Sequence, residues 1–411
     1  MAIPVHLSFT CVAGAIHVAS LPSGSQVVTD PEHRRHEVNR TSFRRVAVPT
    51  LASLALGLSL TACGAANEEP ASGSEGATSE SGESLSGTLS IGGASSQEAA
   101  QNAWRAAFQS ANPETTVNYD PIGSGGGREQ FISGGFPMAG SDSYLTDEEQ
   151  ELSKATERCE GEAPIEVPNY VSPIAVIYNL EGVDELNLSP DTLAGIFAGD
   201  ITEWDDEAIA ADNPDAELPA ETINPVHRSD ESGTTGNFTN YLATVAPDAW
   251  TYDEVEEWPI DGGEGASGTS GVVEAVTQGA NSIGYADASQ AGDLGTALVG
   301  VGDEFVAPEP EAAAKIFEVS PEAESASDTQ LIFDLDYETE EAGTYPIVLT
   351  SYLMACPSYA DATEGDLVKA YLSYVLSEDG QAESAENAGS APLPSSIAEQ
   401  AQGIVDAIEV G

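Results

Sequence analysis

Positive charge is what this chain has least of. Its 411 residues include 12 Lys and Arg against 69 Asp and Glu, a formal charge of −57. Such a chain repels polyanions at long range, so a nucleic-acid partner, whose phosphates need Lys and Arg to neutralise them, is excluded. Docking on an anionic membrane surface through a basic patch is excluded on the same ground. Histidine is almost as scarce: four of the five lie before residue 37, leaving only His227 beyond it. With four cysteines in all and no ligand-spaced Cys or His cluster, zinc and haem find no ligands, and no metal or cofactor is expected. Against these absences stand a 41% hydrophobic content and 27 aromatic residues, enough to fold and to leave the carboxylates on the outside. At roughly 100–200 residues per domain, the length suggests two or three domains.

Five of the twelve basic residues, Arg34, Arg35, Arg40, Arg44 and Arg45, crowd just before an uncharged apolar run, Val46 to Leu60. That run is shorter than the about 20 residues a membrane-spanning helix needs, and its basic flank suits a signal-peptide core. It ends in Leu60-Thr61-Ala62-Cys63, followed by Gly64, which is similar to the lipobox of bacterial lipoproteins, where the cysteine is lipidated and becomes the first residue. Residues 1–62 are therefore read as a signal peptide with an over-extended start, since Val38 is a plausible initiation point, and Cys63 as a lipid anchor to the membrane. Removing them would leave 66 acids against 7 bases. Residues 64–86, rich in Gly, Ser, Glu and Ala, read as a flexible tether spanning roughly 25–30 Å. Beyond the anchor only Cys159 and Cys356 remain; outside the cytosol a disulfide between them is the default over two free buried thiols.

From Gly87 onward strand-like and helix-like segments alternate. Gly87–Ser95 and Thr115–Gly123 read as strands, Ser96–Ala111 as a helix with Ala103, Trp104, Ala107, Phe108 and Ala111 on one face, and Pro137–Asp142 as a short buried strand end. Two long apolar runs, NYVSPIAVIYNL and YPIVLTSYLMAC, flank a middle block, as if the chain crossed from one lobe to another and returned. The pattern predicts an α/β fold whose lobes each hold a mostly parallel sheet with helices on both faces. Ligands of such sheets bind at the carboxyl ends of strands.

Four clusters of small residues stand where a strand would hand over to a helix: Gly92–Gln97, Gly123–Gly127, Gly140–Asp142 and Arg228–Thr239. Each offers backbone N–H groups, hydroxyls or both, and a helix N-terminus suits an anion. One alone would be an ordinary cap or turn; four together point to hydrogen-bond donation to something small and negative. Arg228 opens the most donor-rich of them, and a guanidinium there can grip an oxyanion bidentately with Asp230 holding it in place.

In order along the chain, IGGAS, Trp104, VNYDPIGSGGGREQF, AGSD, HRSDESGTTGNFTNYL and NSIGYAD resemble the phosphate-binding lipoproteins of bacterial ABC phosphate importers, the PstS family, over about Gly87 to Ile408. The resemblance implies a two-lobed periplasmic-binding-protein fold of type II, with residues 87–172 and 346–411 in one lobe and 173–345 in the other, closing by a hinge on dehydrated phosphate in the cleft. It implies ligand contacts from Ser95, Ser96 through its backbone N–H, Ser124 and Asp142 on one side, and from Arg228, Ser232, Gly233 and Thr234 on the other. It also implies delivery to an ABC transporter permease, and a monomer. Ser96 and Gln97 depart from the aromatic and proline that the family often has there. Arg128 stands where the family often has an aliphatic residue, so it either aids the anion or pairs with surface acids.

Asp142 is the most informative of these residues. A carboxylate facing an anion is repulsive unless the anion has a proton to donate, which phosphate has near neutral pH and sulfate lacks. A buried acceptor left unpaired costs about 1–3 kcal/mol, more if charged, so phosphate should be selected over sulfate. The rivals are a receptor for another oxyanion (sulfate, molybdate or tungstate) and a secreted phosphatase using Asp142 with Ser124. Hydrolase chemistry is disfavoured: His227 adjoins Arg228, no G-x-S-x-G elbow occurs, and no Lys follows the Gly123–Gly127 loop.

Overall fold

The computed structural model describes residues 85–147, 150–324 and 326–411. The segment read as a signal peptide, Cys63, and the stretch read as a tether as far as Ser84 lie outside the described residues. The chain opens with β1 (Gly87–Gly93), a 3₁₀ turn at Ser95–Gln97 and α1 (Glu98–Ala111), followed by β2 (Thr115–Asp120), α2 (Ser124–Ile132), β3 (Met138–Ser141) and α3 (Glu151–Arg158). After the long β4 (Ile165–Asn179) come β5 (Asn224–Arg228), α4 (Gly233–Val245), β6 (Glu264–Ala266), α5 (Gly268–Gln278), β7 (Ser282–Asp287) and, much later, β8 (Val348–Ala355).

One nine-stranded sheet runs β2-β1-β3-β8-β4-β7-β5-β6, with Gly295–Thr296 pairing β4 off that path. β1, β2 and β3 are parallel to one another, and so are β5, β6 and β7. Between the two parallel sets, β8 and β4 pair antiparallel with each other and with their flanks, so the sheet is mixed where they cross. β4 changes partner midway: Ile165–Pro173 pair with β8, and Ile174–Asn179 with β7. It is buried along all but its last residue, as its near-continuous apolar sequence demands of a strand covered on both faces.

α1 buries Ala100, Gln101, Trp104 and Phe108. The face expected from the sequence is thus rotated: Trp104 and Phe108 point inward, but Ala111 is exposed and polar Gln101 takes a core position. Trp104 stands against Tyr170 of β4 at 6.0 Å, and its indole N–H donates to the Gly380 carbonyl at 2.7 Å. Phe108 meets Tyr371 edge-on at 5.2 Å. These contacts anchor the helix that follows the turn carrying Ser95 and Ser96. A separate apolar cluster of Ala175, Ile177, Val226, Val272, Val276 and Ala286 seats α5 on β4, β5 and β7. The expected disulfide is present: Cys159 after α3 bonds Cys356 after β8, with their Cα atoms 5.3 Å apart. Among the described residues no helix is long and apolar enough to cross a membrane.

Candidate functional site

The carboxyl ends of the parallel strands gather the donor clusters. β1 leads into the turn at Ser95, β2 into α2 at Ser124, β3 ends just before Asp142, and β5 ends at Arg228 ahead of α4. Each helix start presents the positive end of its dipole and its unpaired amides to this region.

Asp142 is the centre, 3% exposed. Ser96 Oγ donates to both of its oxygens at 2.8 and 2.7 Å, Ser351 Oγ donates at 2.6 Å and Thr234 Oγ1 at 3.1 Å. The Asp142 amide donates to Ser124 Oγ at 3.1 Å. Burial pushes the carboxyl above its ordinary value, opposed by the bonds from Ser351, Ser96 and Thr234 and by the charge of Arg228. Gly233 begins α4 hard against this loop: a β-carbon there would lie 2.8 Å from Asp142 Cβ and 2.9 Å from Ser124 Oγ. Ser232 caps the same helix, its Oγ accepting from the Thr235 amide at 3.2 Å.

Arg228 is buried and held flat by Asp230: Nε donates to Oδ1 at 2.8 Å and Nη2 pairs with Oδ2. The Gly268 amide also donates to Asp230 Oδ1 at 3.0 Å. Burial raises the Asp230 carboxyl, but the bonds and charge of Arg228 outweigh it and keep the group below its usual range. Gly123 makes room for this pair. Its φ of +92° suits glycine, and a β-carbon would come within 2.8 Å of Asp230 Oδ2 and 3.6 Å of Arg228 Nη2.

The structure therefore brings Ser96, Ser124, Asp142, Gly233 and Thr234 into one cluster, with Arg228, Asp230 and Ser232 beside it. Ser95 differs: its hydroxyl accepts from the Thr269 amide at 3.0 Å and shares a hydrogen bond with Thr269 Oγ1 at 3.1 Å, so it joins the turn before α1 to the start of α5. Arg128 pairs with acids but not at the surface. It is 4% exposed and meets Glu151, Glu231 and Glu256. His227 turns its two ring nitrogens to the carbonyls of Arg228 and Gly262 and stacks on Trp258, away from a nucleophile's needs.

Three participants had no role assigned to them from the sequence. Ser351 is a hydroxyl within the apolar strand β8, and that break in the run was its only signal. Gln97, fully buried, donates to Ser351 Oγ at 2.8 Å and to the Tyr352 carbonyl at 3.0 Å, so it orients Ser351 toward Asp142. Thr269 opens α5 in a fifth stretch of small residues, GASGTSG. Beside the cluster opens a cavity of about 1040 Å³, lined by Asp142, Arg128, Glu231, Glu256, Asn237 and Tyr352 among others.

Comparison with known proteins identifies the family. The profile of the PBP superfamily domain matches residues 78–379. The phosphate-binding protein PstS2 of Mycobacterium bovis is 34% identical over 355 residues, covering 85% of this chain and 95% of its own. The phosphate-binding protein PstS 3 of Mycobacterium tuberculosis is 35% identical over 370 residues, covering 88% and 98%. Among solved structures, a high-affinity periplasmic phosphate-binding protein with bound phosphate superposes with a TM-score of 0.63 at 23% identity, over 77% of this chain and 93% of that one, a likeness of fold. With such a profile match and such relatives over most of its length, the chain belongs to the PBP superfamily and, within it, to the PstS family of phosphate-binding proteins.

Proposed function

We propose that the protein is a receptor for inorganic phosphate that closes over the dehydrated anion and passes it to the permease of an ABC transporter. It acts as a monomer outside the cytosol, tethered through a lipid on Cys63. Residues 87–172 with 346–411 form one lobe and 173–345 the other. The change of partner along β4 at Pro173/Ile174 supports a hinge at this boundary.

The observation that carries the reading is the buried carboxylate of Asp142, faced by hydroxyls that arrive from both lobes, with the Arg228 guanidinium beside it. Ser96, Ser124 and Thr234 would turn their hydroxyls to the anion's oxygens. The amides at the starts of the turn before α1 and of α4 would add donors, with Ser95, Ser232 and Gly233 shaping those two helix starts. Arg228, pre-aimed by Asp230, would supply the one full positive charge. Asp142 would accept the proton that phosphate carries, which makes it the element that selects against fully ionised oxyanions. Leaving such an acceptor without its proton can discriminate by about 10⁴–10⁵. His227 bonds backbone carbonyls and none of these hydroxyls, so binding without turnover is expected.

Calorimetry on the purified protein tests this directly. Stoichiometric binding of phosphate, with sulfate, molybdate and tungstate far weaker, is the expected result. Equal affinity for sulfate, or turnover of a chromogenic phosphoester, would overturn the assignment.

A further inference from the structure

Arg128 is one of only seven basic residues that follow residue 62, and it is buried in the second turn of α2. Guanidinium offers five N–H donors, and here all five are engaged. Nε donates to Glu151 at 2.8 Å, and Nη1 to Ser141 Oγ at 3.3 Å and Glu256 Oε1 at 3.1 Å. Nη2 donates to Glu231 at 3.1 Å and Glu256 Oε2 at 2.6 Å. Two of these partners, Glu151 and Ser141, come from the lobe that carries Arg128. The other two, Glu231 and a bidentate Glu256, come from the opposite lobe.

Both ends of this bridge adjoin the anion cradle. Ser141 precedes Asp142, Glu231 precedes Ser232, and the Glu256 carbonyl accepts from the Ser232 amide at 3.2 Å. The approach of Glu231 needs the glycine at 125, where a β-carbon would stand 2.2 Å from the Glu231 carboxyl carbon. The bridge also lines the same cavity as Asp142.

We infer that Arg128, with Glu231 and Glu256, is a clasp between the lobes that sets how long a bound anion is retained. The inference rests on the receptor function proposed above. Glu151 keeps the guanidinium aimed across the cleft whether or not the lobes meet, so the clasp is preformed on one side. Arg128 is buried, so its pairing adds little net stability once desolvation is counted, yet its partly exposed carboxylate partners would repel one another without it. The clasp therefore acts on the geometry and persistence of the closed state. Removing Arg128 would take from Glu151, Glu231 and Glu256 the cation they share in that state.

Release of bound radiolabelled phosphate, followed in a rapid-mixing chase, reads the effect. Arg128→Met should release phosphate at least ten times faster with an association rate within twofold of the parent. Its melting temperature should fall more in saturating phosphate than without it. Adding Glu231→Gln and Glu256→Gln to that variant should bring release back to within threefold of the parent. Unchanged release, or a rise that the added substitutions do not reduce, would overturn the clasp; slower association with unchanged release would assign Arg128 to anion steering instead. If the parent bound no phosphate, the receptor function would fail first. Small-angle scattering would then decide the clasp alone: an Arg128→Met protein more expanded than the parent supports it, and one of equal size refutes it.

Discussion

Asp142→Asn separates anion selection from folding more sharply than any other single change. The carboxylate accepts side-chain hydroxyls from Ser96, Ser351 and Thr234. Asparagine keeps the shape but replaces one acceptor oxygen with a donor and removes the charge. A hydrogen bond to a charged group contributes about 1.5–3 kcal/mol, so phosphate, whose proton loses that acceptor, should bind roughly 10- to 150-fold more weakly. Sulfate should gain, because a like charge beside it disappears; two unit charges about 4 Å apart at an effective dielectric near 20 repel by up to about 4 kcal/mol. The ratio of phosphate to sulfate affinity should therefore fall by at least about 10-fold. Titration calorimetry of both anions on parent and variant at one pH and salt measures it. The fold should not suffer: burial holds the Asp142 carboxyl above its ordinary value, so its charge opposes folding and the unliganded melting temperature should stay level or rise. A selectivity ratio unchanged within threefold would refute the reasoning.

Glu166 is fully buried in β4 and its carboxyl is pushed up to about 7 by burial, against the opposing bonds from the Leu145 amide and Gln330. A raised carboxyl binds its proton more tightly in the native state than in the unfolded one. Its contribution to stability is therefore lost as pH rises through about 7 and regained toward pH 5. Urea unfolding should show Glu166→Gln flattening the difference between pH 5 and 8 by about 2–3 kcal/mol, and identical slopes would reject that origin. Replacing Cys159 and Cys356 together by serine opens a closure of 197 residues. The loop-entropy relation gives about 5 kcal/mol for that length. Calorimetric melting should fall by roughly 5–10 °C, and no change would mean the unfolded chain is already constrained.

The strand-to-helix alternation and the four donor clusters were legible because they are local. Glycine and hydroxyl residues at a strand end state their geometry within a few positions. What was not legible depends on partners far away in the chain. The inward turn of Gln101 is decided by Tyr371, whose hydroxyl donates to it across 270 residues. Ser351 is only a polar residue within an apolar run in the sequence, and its role depends on β8 lying between β3 and β4, an insertion that no periodicity announces. Arg128 left two roles open, and the choice was made by Glu231 and Glu256, more than 100 positions away. The parallel sets matched the expectation of mostly parallel sheets. The antiparallel pair between them did not, because crossing twice between lobes requires two strands running in opposite senses.

The central position of β8 has a consequence for how this molecule is made. β3 and β4 are complete by Asn179, yet the strand that fills the space between them is Val348–Ala355. During vectorial synthesis both therefore wait as raw edges, with unpaired amides and carbonyls, for some 170 further residues. The block between them can assemble on its own parallel strands in the meantime, whereas the first lobe cannot close its sheet. Pairings at that separation are slow to form, and an exposed apolar edge invites the wrong neighbour. The bond between Cys159 and Cys356 joins residues flanking that late insertion, so its formation would report that the last strand has docked.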